Sequence, residues 1–383
     1  MYTIVYHNKI HEYFGQIGDA NLEKTFPYHK FSGTHLQIGQ QYGESCSALI
    51  KQNFEYSYQR LQAHTGVNHQ QIQDKVLEYR PFVLKYAPFL DDEIQGLAIG
   101  SGLSLTDAYF LQLRAELEVS FSPKPSRSAG MECTTFFARS GATLDGNLIG
   151  GQNADLPGFY AEICIVMEIA SAGFPSILMV TPAGQVSYIG INNSGLCAFA
   201  NYITCGGWRT GFPRYFLSRL ALTQNNVHDA EALLTPIHRA SSRNLLLLDS
   251  SDQAVDLEFA VERQGKIVLQ KDLFVHSNHF LAPELHAEEL ASPNDLHNSQ
   301  VRLDRLQALL EQNYGRLDAV LMQQLLRDRE TYPDTLSVEP GDDSESDYIT
   351  VTSIIAEPAL SKIWVTVGPP SLNKYKQYSF SMT

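Results

Sequence analysis

The apolar residues of this chain change their spacing once along its length, and this change limits the folds that the sequence can adopt. Before residue 120, apolar residues recur at steps of three and four, as at Val76, Tyr79 and Val83, which predicts helices. After residue 133, short apolar runs bounded by Gly, Asn, Asp and Pro predict strands, as over 163–169, 177–180, 196–200 and 245–248. Further helices are expected over 213–223, 228–234, 299–312 and 317–328. The sequence therefore predicts the α+β class, with a helical N-terminal segment.

The helical segment and the strands meet at a polar stretch that ends in a cysteine. Residues 121–130 contain Pro, Ser, Gly and basic residues and little that could be buried, which is typical of an exposed linker. Cys133 follows, between Glu132 and Thr134, at the start of the first predicted strand. From there its thiol can attack the preceding carbonyl group within the same chain. We therefore expect the chain to cut itself between Glu132 and Cys133.

Such a cut would free an α-amino group on Cys133. The pKa of a terminal amine is about 8, which suits a general base near neutral pH. The amine can deprotonate its own side chain, directly or through one water, so that one residue supplies both nucleophile and base. A buried, unreactive thiol is the common alternative for a lone cysteine.

Charge and composition favour a small-molecule partner over a nucleic acid or a membrane. The formal net charge of −14 disfavours binding to nucleic acid and to anionic lipid surfaces. No stretch approaches the roughly 20 apolar residues of a membrane span, and residues 1–9 show no secretory signal. The 5 cysteines are odd in number and lack close pairing, which favours reduced thiols and a cytoplasmic location.

Other motifs that carry chemistry are absent or weak. His276 and His279 are three residues apart without a His-Glu-x-x-His pattern, so we expect no metal site. Gly96, Gly100 and Gly102 follow a helical pattern rather than a strand, which disfavours a dinucleotide site. The sequence also lacks a Gly-x-Ser-x-Gly elbow. We therefore expect no cofactor.

From about Phe31 to the C-terminus, the chain carries several motifs in a fixed order. They are Ser32-Gly33-Thr34, Glu93-Ile94-Gln95-Gly96, Glu132-Cys133-Thr134-Thr135, Gly151-Gln152-Asn153-Ala154-Asp155, Gly190-Ile191-Asn192-Asn193, Gly211-Phe212-Pro213-Arg214 and His276-Ser277-Asn278-His279. In this combination the chain resembles the acyl-coenzyme A:6-aminopenicillanic acid acyltransferase (isopenicillin N acyltransferase) family. That family is the C45 peptidase-type branch of the N-terminal-nucleophile (Ntn) hydrolases.

The resemblance implies a fold and a division of the chain. The fold is the Ntn-hydrolase αββα sandwich, in which two antiparallel sheets pack face to face between helical layers. Residues 1–132 would form a mostly helical pro-segment that stays bound as an α-chain, and residues 133–383 would form the β-chain. Together the two would make one composite domain, a zymogen that is activated by autoproteolysis.

The resemblance also implies roles for individual residues. Cys133 matches the family nucleophile, and Asp155 matches an acid that can orient the new amine by a charge-assisted hydrogen bond. Asn278 and Asn201 match amides that donate N–H groups to the attacked carbonyl oxygen as negative charge develops on it. Taken from the residues alone, Asp155 can also be a turn residue before a proline, and Asn201 a simple turn former.

Two further side chains, those of Thr134 and His279, are expected to support the site. The implied reaction is acyl transfer or hydrolysis on a small amide or thioester through a cysteine acyl-enzyme. A coenzyme A thioester is one candidate substrate. The sequence leaves the choice between water and an amine as acceptor open, and also the oligomeric state.

This chain departs from the family pattern at three positions. Glu132 stands where many relatives have Gly, Ala154 where they have Trp, and Val338 where an Arg would be expected. If that Arg binds an anionic group, its loss disfavours a penicillin nucleus. Together with the net charge of −14, this predicts a small uncharged or cationic acyl compound as substrate.

Two other classes of function stay open. A papain-like amide hydrolase would pair Cys133 with His279 and would need no processing. The strand that begins at Cys133 argues against this, because papain-like enzymes place a helix there. A non-catalytic small-molecule-binding protein on the same fold would fit the departures at Glu132 and Ala154.

Overall fold

A computed structural model describes residues 24–122, 133–269, 271–342 and 347–381 of the chain. Most of the expected linker, Glu132 and the peptide bond before Cys133 lie outside the described residues. The helices within them are α1 His35–Ser45, α2 Ser47–Thr65, α3 His69–Leu77, α4 Arg80–Tyr86, α5 Pro88–Ser101, α6 Leu105–Phe110, α7 Arg114–Phe121, α8 Tyr160–Ile163, α9 Arg214–Ala221, α10 Val227–Leu234, α11 Pro293–Gln312 and α12 Ala319–Leu325.

The strands begin before the helical segment and resume at Cys133. They are β1 Tyr28–Gly33, β2 Cys133–Ala138, β3 Ile149–Pro157, β4 Cys164–Ser171, β5 Ile177–Pro182, β6 Ile189–Asn192, β7 Cys197–Asn201, β8 Arg243–Leu248, β9 Ala254–Phe259, β10 Gln264–Val268, β11 Leu273–His276, β12 Tyr348–Glu357, β13 Lys362–Val365 and β14 Lys376–Ser379. The four strands expected from apolar runs correspond to β4, β5, β7 and β8.

The strands form two sheets. One has the order β1-β4-β5-β6-β7-β8-β9-β10 and the other the order β11-β2-β3-β12-β13-β14. Neighbouring strands are antiparallel in both sheets, except that β1 runs parallel to β4 at the edge of the first. The expectation of two antiparallel sheets is therefore correct apart from this pair. A parallel neighbour needs a long connection, and residues 34–163 supply it.

Three apolar cores arrange these elements in four layers. Residues from both sheets fill a core between them, for example Leu156 and Ile354 from one sheet and Val180 and Phe199 from the other. The outer face of the eight-stranded sheet packs against helices of the N-terminal segment and against α9 and α10. The outer face of the six-stranded sheet packs against α11 and α12. This order of layers confirms the expected αββα sandwich.

The helices expected in the second half are present with shifted ends. The largest shift is at α11, which begins at Pro293 rather than near residue 299. Ser292 caps this helix, because its hydroxyl accepts a hydrogen bond from the Asp295 backbone N–H, and Pro293 suits the first helical position. Among the described helices, none combines the length and the apolar content that a membrane crossing requires.

Helices α1 and α5 pack with their backbones in close approach. A methyl group at Gly39 would collide with the carbonyl oxygen of Glu93, and one at Gly96 would collide with that of Leu36. The close packing holds the buried Glu93 against α9, where Arg219 donates to both carboxylate oxygens at 2.7 and 3.1 Å. This buried ion pair joins the helical segment to the part of the chain that follows Cys133.

Candidate active site

Cys133 is the first residue of β2, and its main chain is held from the neighbouring strand. β11 pairs with β2 in antiparallel register, with His276 opposite Thr135. Two residues beyond His276, this register brings Asn278 opposite Cys133. The Cys133 backbone N–H donates to Asn278 Oδ1 at 2.8 Å. The residue expected to become a chain terminus therefore already has its nitrogen in a polar contact.

The Cys133 side chain is buried between the sheets, with 1% of the residue exposed. Burial and the Asp155 carboxylate raise the pKa of its thiol to about 12, while hydrogen bonds from the Asp155 backbone and Gln152 and the charge of Arg302 act in the opposite direction. In the uncut chain the thiol is thus protonated near neutral pH and is a weak nucleophile without a base. Ala154 lies directly opposite Cys133 on β3.

Asp155 lies inside β3, which continues to Pro157. Its carboxylate is buried, and Oδ1 accepts a hydrogen bond from Thr350 Oγ1 at 2.5 Å. A residue within a strand cannot have the turn role considered above. Thr350 Oγ1 also accepts from the backbone N–H of Val338 at 3.0 Å. The segment where relatives carry an arginine is therefore packed behind Asp155.

Asn278 connects three parts of the site. Its Oδ1 accepts from Cys133 N–H and from Arg302 Nη2 at 2.7 Å, and its Nδ2 donates to the Tyr202 carbonyl oxygen at 2.9 Å. Its backbone N–H donates to Ser299 Oγ at 2.7 Å. These contacts fix the amide beside Cys133.

Arg302 is a site residue that the sequence analysis missed. It is fully buried on α11, and Nη1 donates to the Cys133 carbonyl oxygen at 2.8 Å and to Thr134 Oγ1 at 2.7 Å. Its third contact at the site is the one to Asn278. Arg302 lies on the buried face of α11 with Ser299 and Leu306. The sequence could have indicated this residue, because it places an arginine on the apolar face of a predicted amphipathic helix.

Asn201 lies at the end of β7 and contacts β2 at Thr135, two residues after Cys133. Its Nδ2 donates to Thr135 Oγ1 at 2.9 Å and to Asn244 Oδ1 at 3.1 Å, and lies 3.2 Å from His276 Nδ1. The structure therefore brings Asn201 beside Thr135 through these contacts. Its role as an oxyanion donor stays a prediction.

Behind Asn201 lies a buried cluster of Asp256, Glu258 and His276, whose ligand-type atoms are within 4.8 Å of one another. Burial alone would lower the pKa of His276, but Asp256 and the hydrogen bond to Glu258 raise it to about 9. His276 then donates Nε2–H to Glu258 Oε1 at 2.7 Å and Nδ1–H to the Ser277 carbonyl oxygen at 2.9 Å. Both nitrogens carry protons in this arrangement, which fits an ion-pair cluster that anchors the loop before Asn278.

His279 contacts this loop rather than the thiol. Its Nδ1 lies 2.7 Å from Ser299 Oγ, the group that also receives the Asn278 backbone N–H. Burial, with smaller effects of His276 and Arg302, lowers the pKa of His279 to about 4. The imidazole is therefore neutral near pH 7.

Comparisons with known proteins agree with the resemblance found in the motifs. The sequence matches the family "Acyl-coenzyme A:6-aminopenicillanic acid acyl-transferase" over residues 143–372. It is 25% identical over 342 residues to the acyl-coenzyme A:6-aminopenicillanic-acid-acyltransferase 40 kDa form of Emericella nidulans, covering 88% of this chain and 92% of that protein.

Two solved structures are similar at low sequence identity. A variant of conjugated bile acid hydrolase from Clostridium perfringens has a TM-score of 0.47 and 11% identity, covering 66% of this chain and 98% of that one. Penicillin V acylase from Agrobacterium tumefaciens has a TM-score of 0.39 and 12% identity, covering 62% and 76%. The family match described above spans more than half of this chain. The chain therefore belongs to the acyl-coenzyme A:6-aminopenicillanic acid acyl-transferase family.

Proposed function

We propose that this protein is a cysteine Ntn enzyme that transfers or hydrolyses the acyl group of a small amide or thioester after autoproteolysis before Cys133. The observation that carries the proposal is the contact between the Cys133 backbone nitrogen and Asn278 at the start of β2. A nitrogen in that place, once freed as an amine, lies on the same residue as the thiol that it must deprotonate.

Processing would begin with attack of the Cys133 sulfur on the carbonyl carbon of Glu132. A C–S bond forms, the peptide C–N bond breaks, and the nitrogen takes up a proton, which leaves a thioester and a free amine. Water then hydrolyses the thioester and restores the thiol. The carboxylate of Asp155, which acts on the Cys133 thiol electrostatically, is the group that would orient the new amine.

The freed amine would be poised as a base rather than an ammonium ion. Arg302 hydrogen-bonds the carbonyl oxygen of the same residue, and a cation at this distance disfavours a second positive charge. An amine N–H can still donate to Asn278 Oδ1 while the nitrogen lone pair accepts the thiol proton. One buried arginine thus supports the reactive protonation state of Cys133.

Catalysis would follow the usual steps of acyl transfer. The sulfur attacks the acyl carbonyl carbon, negative charge develops on the carbonyl oxygen, and the α-ammonium protonates the leaving amine or thiol. Water or an acceptor amine then resolves the acyl-enzyme. Asn278 contacts Cys133 directly, whereas Asn201 approaches through Thr135, so Asn278 is the better supported oxyanion donor.

The geometry favours the terminal amine over the papain-like pair. A papain-type histidine must become an imidazolium beside the thiolate, and burial lowers the pKa of His279 to about 4. The name of the Emericella nidulans relative supports an acyl-coenzyme A as candidate donor. All 5 cysteines are unpaired, which supports a cytoplasmic location.

The decisive experiment is intact mass analysis of the purified protein under denaturing conditions. We expect two chains, the second beginning at Cys133, and an acyl adduct on that chain during turnover. Cys133→Ala should give one uncut, inactive chain, while Cys205→Ala, at a buried cysteine with other contacts, should be cut and active. Full activity in an uncut wild-type chain would refute the proposal.

A further inference from the structure

Three arginines from distant parts of the chain meet around the ring of Tyr215. Their guanidinium carbons lie 5.4 Å (Arg114), 4.9 Å (Arg214) and 5.0 Å (Arg243) from its centroid. The Tyr215 hydroxyl accepts from Arg114 Nη2 at 3.1 Å and from Arg214 Nη2 at 3.2 Å. Arg214 and Arg243 are only 1% and 2% exposed. We call these three arginines the Tyr215 cluster.

The Tyr215 cluster carries more positive charge than its buried surroundings balance. The fully buried carboxylate beside it is Glu116, whose Oε1 accepts from the Arg214 backbone N–H at 3.0 Å. Among the described residues, three guanidinium groups thus lie beside one fully buried carboxylate. Two other acids lie nearby: Asp347 forms an ion pair with Arg60, and the partly exposed Glu118, 3.4 Å from His64, lines the same cavity as Arg114.

Several N–H groups of the Tyr215 cluster also have no acceptor. Arg114 Nε, Arg214 Nε and Nη1, and Arg243 Nε are buried without a hydrogen-bond partner among the described residues. Burial and the charge of Arg214 lower the pKa of Arg243 to about 10. Buried charged donors without partners are unfavourable, so these N–H groups need acceptors, which water or an anion can supply.

A cavity opens onto the cluster. Arg114, Arg214 and Tyr215 line a small cavity of about 60 Å³, which opens into a wider space of about 570 Å³ that includes solvent. Pro157, the last residue of β3 and two positions after Asp155, lines the same cavity. The cavity therefore begins close to the candidate active site.

Tyr188 connects the cluster to the nucleophile. Its ring lies 6.1 Å from that of Tyr215, and its buried hydroxyl has no hydrogen-bond partner among the described residues. Both Cys133 and Arg243 act electrostatically on Tyr188, which places it within range of the thiol and of the cluster. Cys133, Tyr188 and Tyr215 also belong to one apolar core.

We propose that the Tyr215 cluster binds an anionic oxygen group of the substrate, a carboxylate or a phosphate, while the acyl carbonyl lies at Cys133. The planar forks of arginine suit both groups. This inference rests on the proposed function and replaces the expectation of an uncharged or cationic substrate. The net charge of −14 describes the whole chain, whereas a buried site is governed by the charges that line it.

The first test compares an N-acyl amino acid with its carboxamide. We expect the wild type to prefer the carboxylate by about 10- to 100-fold in kcat/KM, the range for a charged hydrogen-bonded contact. Arg114→Gln, at the least buried arginine of the cluster, should remove this preference by raising KM for the carboxylate. Arg60 lines the same cavity but forms an ion pair with Asp347. Arg60→Gln should therefore keep the preference for the carboxylate. An unchanged preference in Arg114→Gln would overturn the proposal.

A binding test on Cys133→Ala separates the anion site from the chemistry. The thermal midpoint should rise with the N-acyl amino acid or with inorganic phosphate, and the effective probe identifies the anion. The rise should be absent with the carboxamide and lost when Arg214→Gln is added. Arginine-dependent binding without turnover in the wild type would refute the proposed function but keep the anion site. Turnover in the wild type without arginine-dependent binding would refute the anion site and keep the proposed function.

Discussion

Replacing Arg302 by methionine should lower kcat by more than the accompanying loss of stability can explain. The change keeps the aliphatic stem and removes the donors to the Cys133 carbonyl oxygen, Thr134 Oγ1 and Asn278 Oδ1. Each hydrogen bond from the charged guanidinium contributes about 1.5–3 kcal/mol, and the removal of the buried charge offsets part of the loss of three such bonds. We therefore expect the free energy of unfolding to fall by about 3–5 kcal/mol.

The effect on turnover follows from the loss of one anchor of Asn278. Removing an oxyanion donor outright lowers kcat about 100- to 1,000-fold, and Asn278 in Arg302→Met keeps its bonds to Tyr202 and Ser299. A loss of about 10- to 100-fold in kcat, measured on cut protein, is therefore expected. Arg302→Lys keeps the positive charge and should recover part of the lost kcat. The pH dependence of its kcat should match that of the wild type.

Arg305→Met is the matched control on the same helix. Arg305 also forms a two-pronged ion pair, with Asp328, but this pair lies away from Cys133 and is partly exposed. Arg305→Met should lower the free energy of unfolding by about 1 kcal/mol or less and leave kcat unchanged. If Arg302→Met loses stability but keeps kcat within about threefold, Arg302 has only a structural role and the argument fails.

Three further predictions, which use four substitutions, test other parts of the structure. Asn278→Ala should lower kcat about 100- to 1,000-fold with little change in KM, and His279→Ala should lower it far less; steady-state kinetics showing the reverse order would favour the papain-like pair. The pKa of His276 is raised from 6.5 to about 9, so its stabilisation is complete below about pH 6.5 and is lost as pH rises through 9. Denaturant unfolding should show a fall of about 3 kcal/mol over that window, absent in His276→Gln. Gly39→Ala should lower the unfolding free energy by about 1–3 kcal/mol, because the new methyl group meets the Glu93 carbonyl; an unchanged denaturation midpoint would contradict the close packing of α1 and α5.

Local spacing predicted many of the helices and strands, because it determines local structure, whereas the αββα sandwich was implied by the family resemblance. Apolar runs located β4, β5, β7 and β8, and the change of spacing placed the start of a strand at Cys133. The pairing of β1 with β4 was not predictable, because it joins residues far apart in the chain and apolar spacing does not show which strands become neighbours.

The site was predictable only where motif residues lie close to Cys133 in the fold. Asn278 follows β11, and the register of β11 on β2 brings it there. Arg302 comes from a helix on the outer side of the sheet, and its contact with Cys133 spans 169 positions. The Tyr215 cluster likewise joins three arginines whose neighbours in sequence give no indication of their common environment.

The parallel pairing of β1 with β4 has a consequence for how a cut chain would refold. β1 precedes the expected cut and β4 follows it, so two separate polypeptides would share one sheet, together with the buried ion pair between Glu93 and Arg219. Folding of the uncut chain is a unimolecular process, whereas the cut form must recover through a collision of its two pieces. Recovery after denaturation should thus become slower on dilution for the cut form and remain independent of concentration for Cys133→Ala.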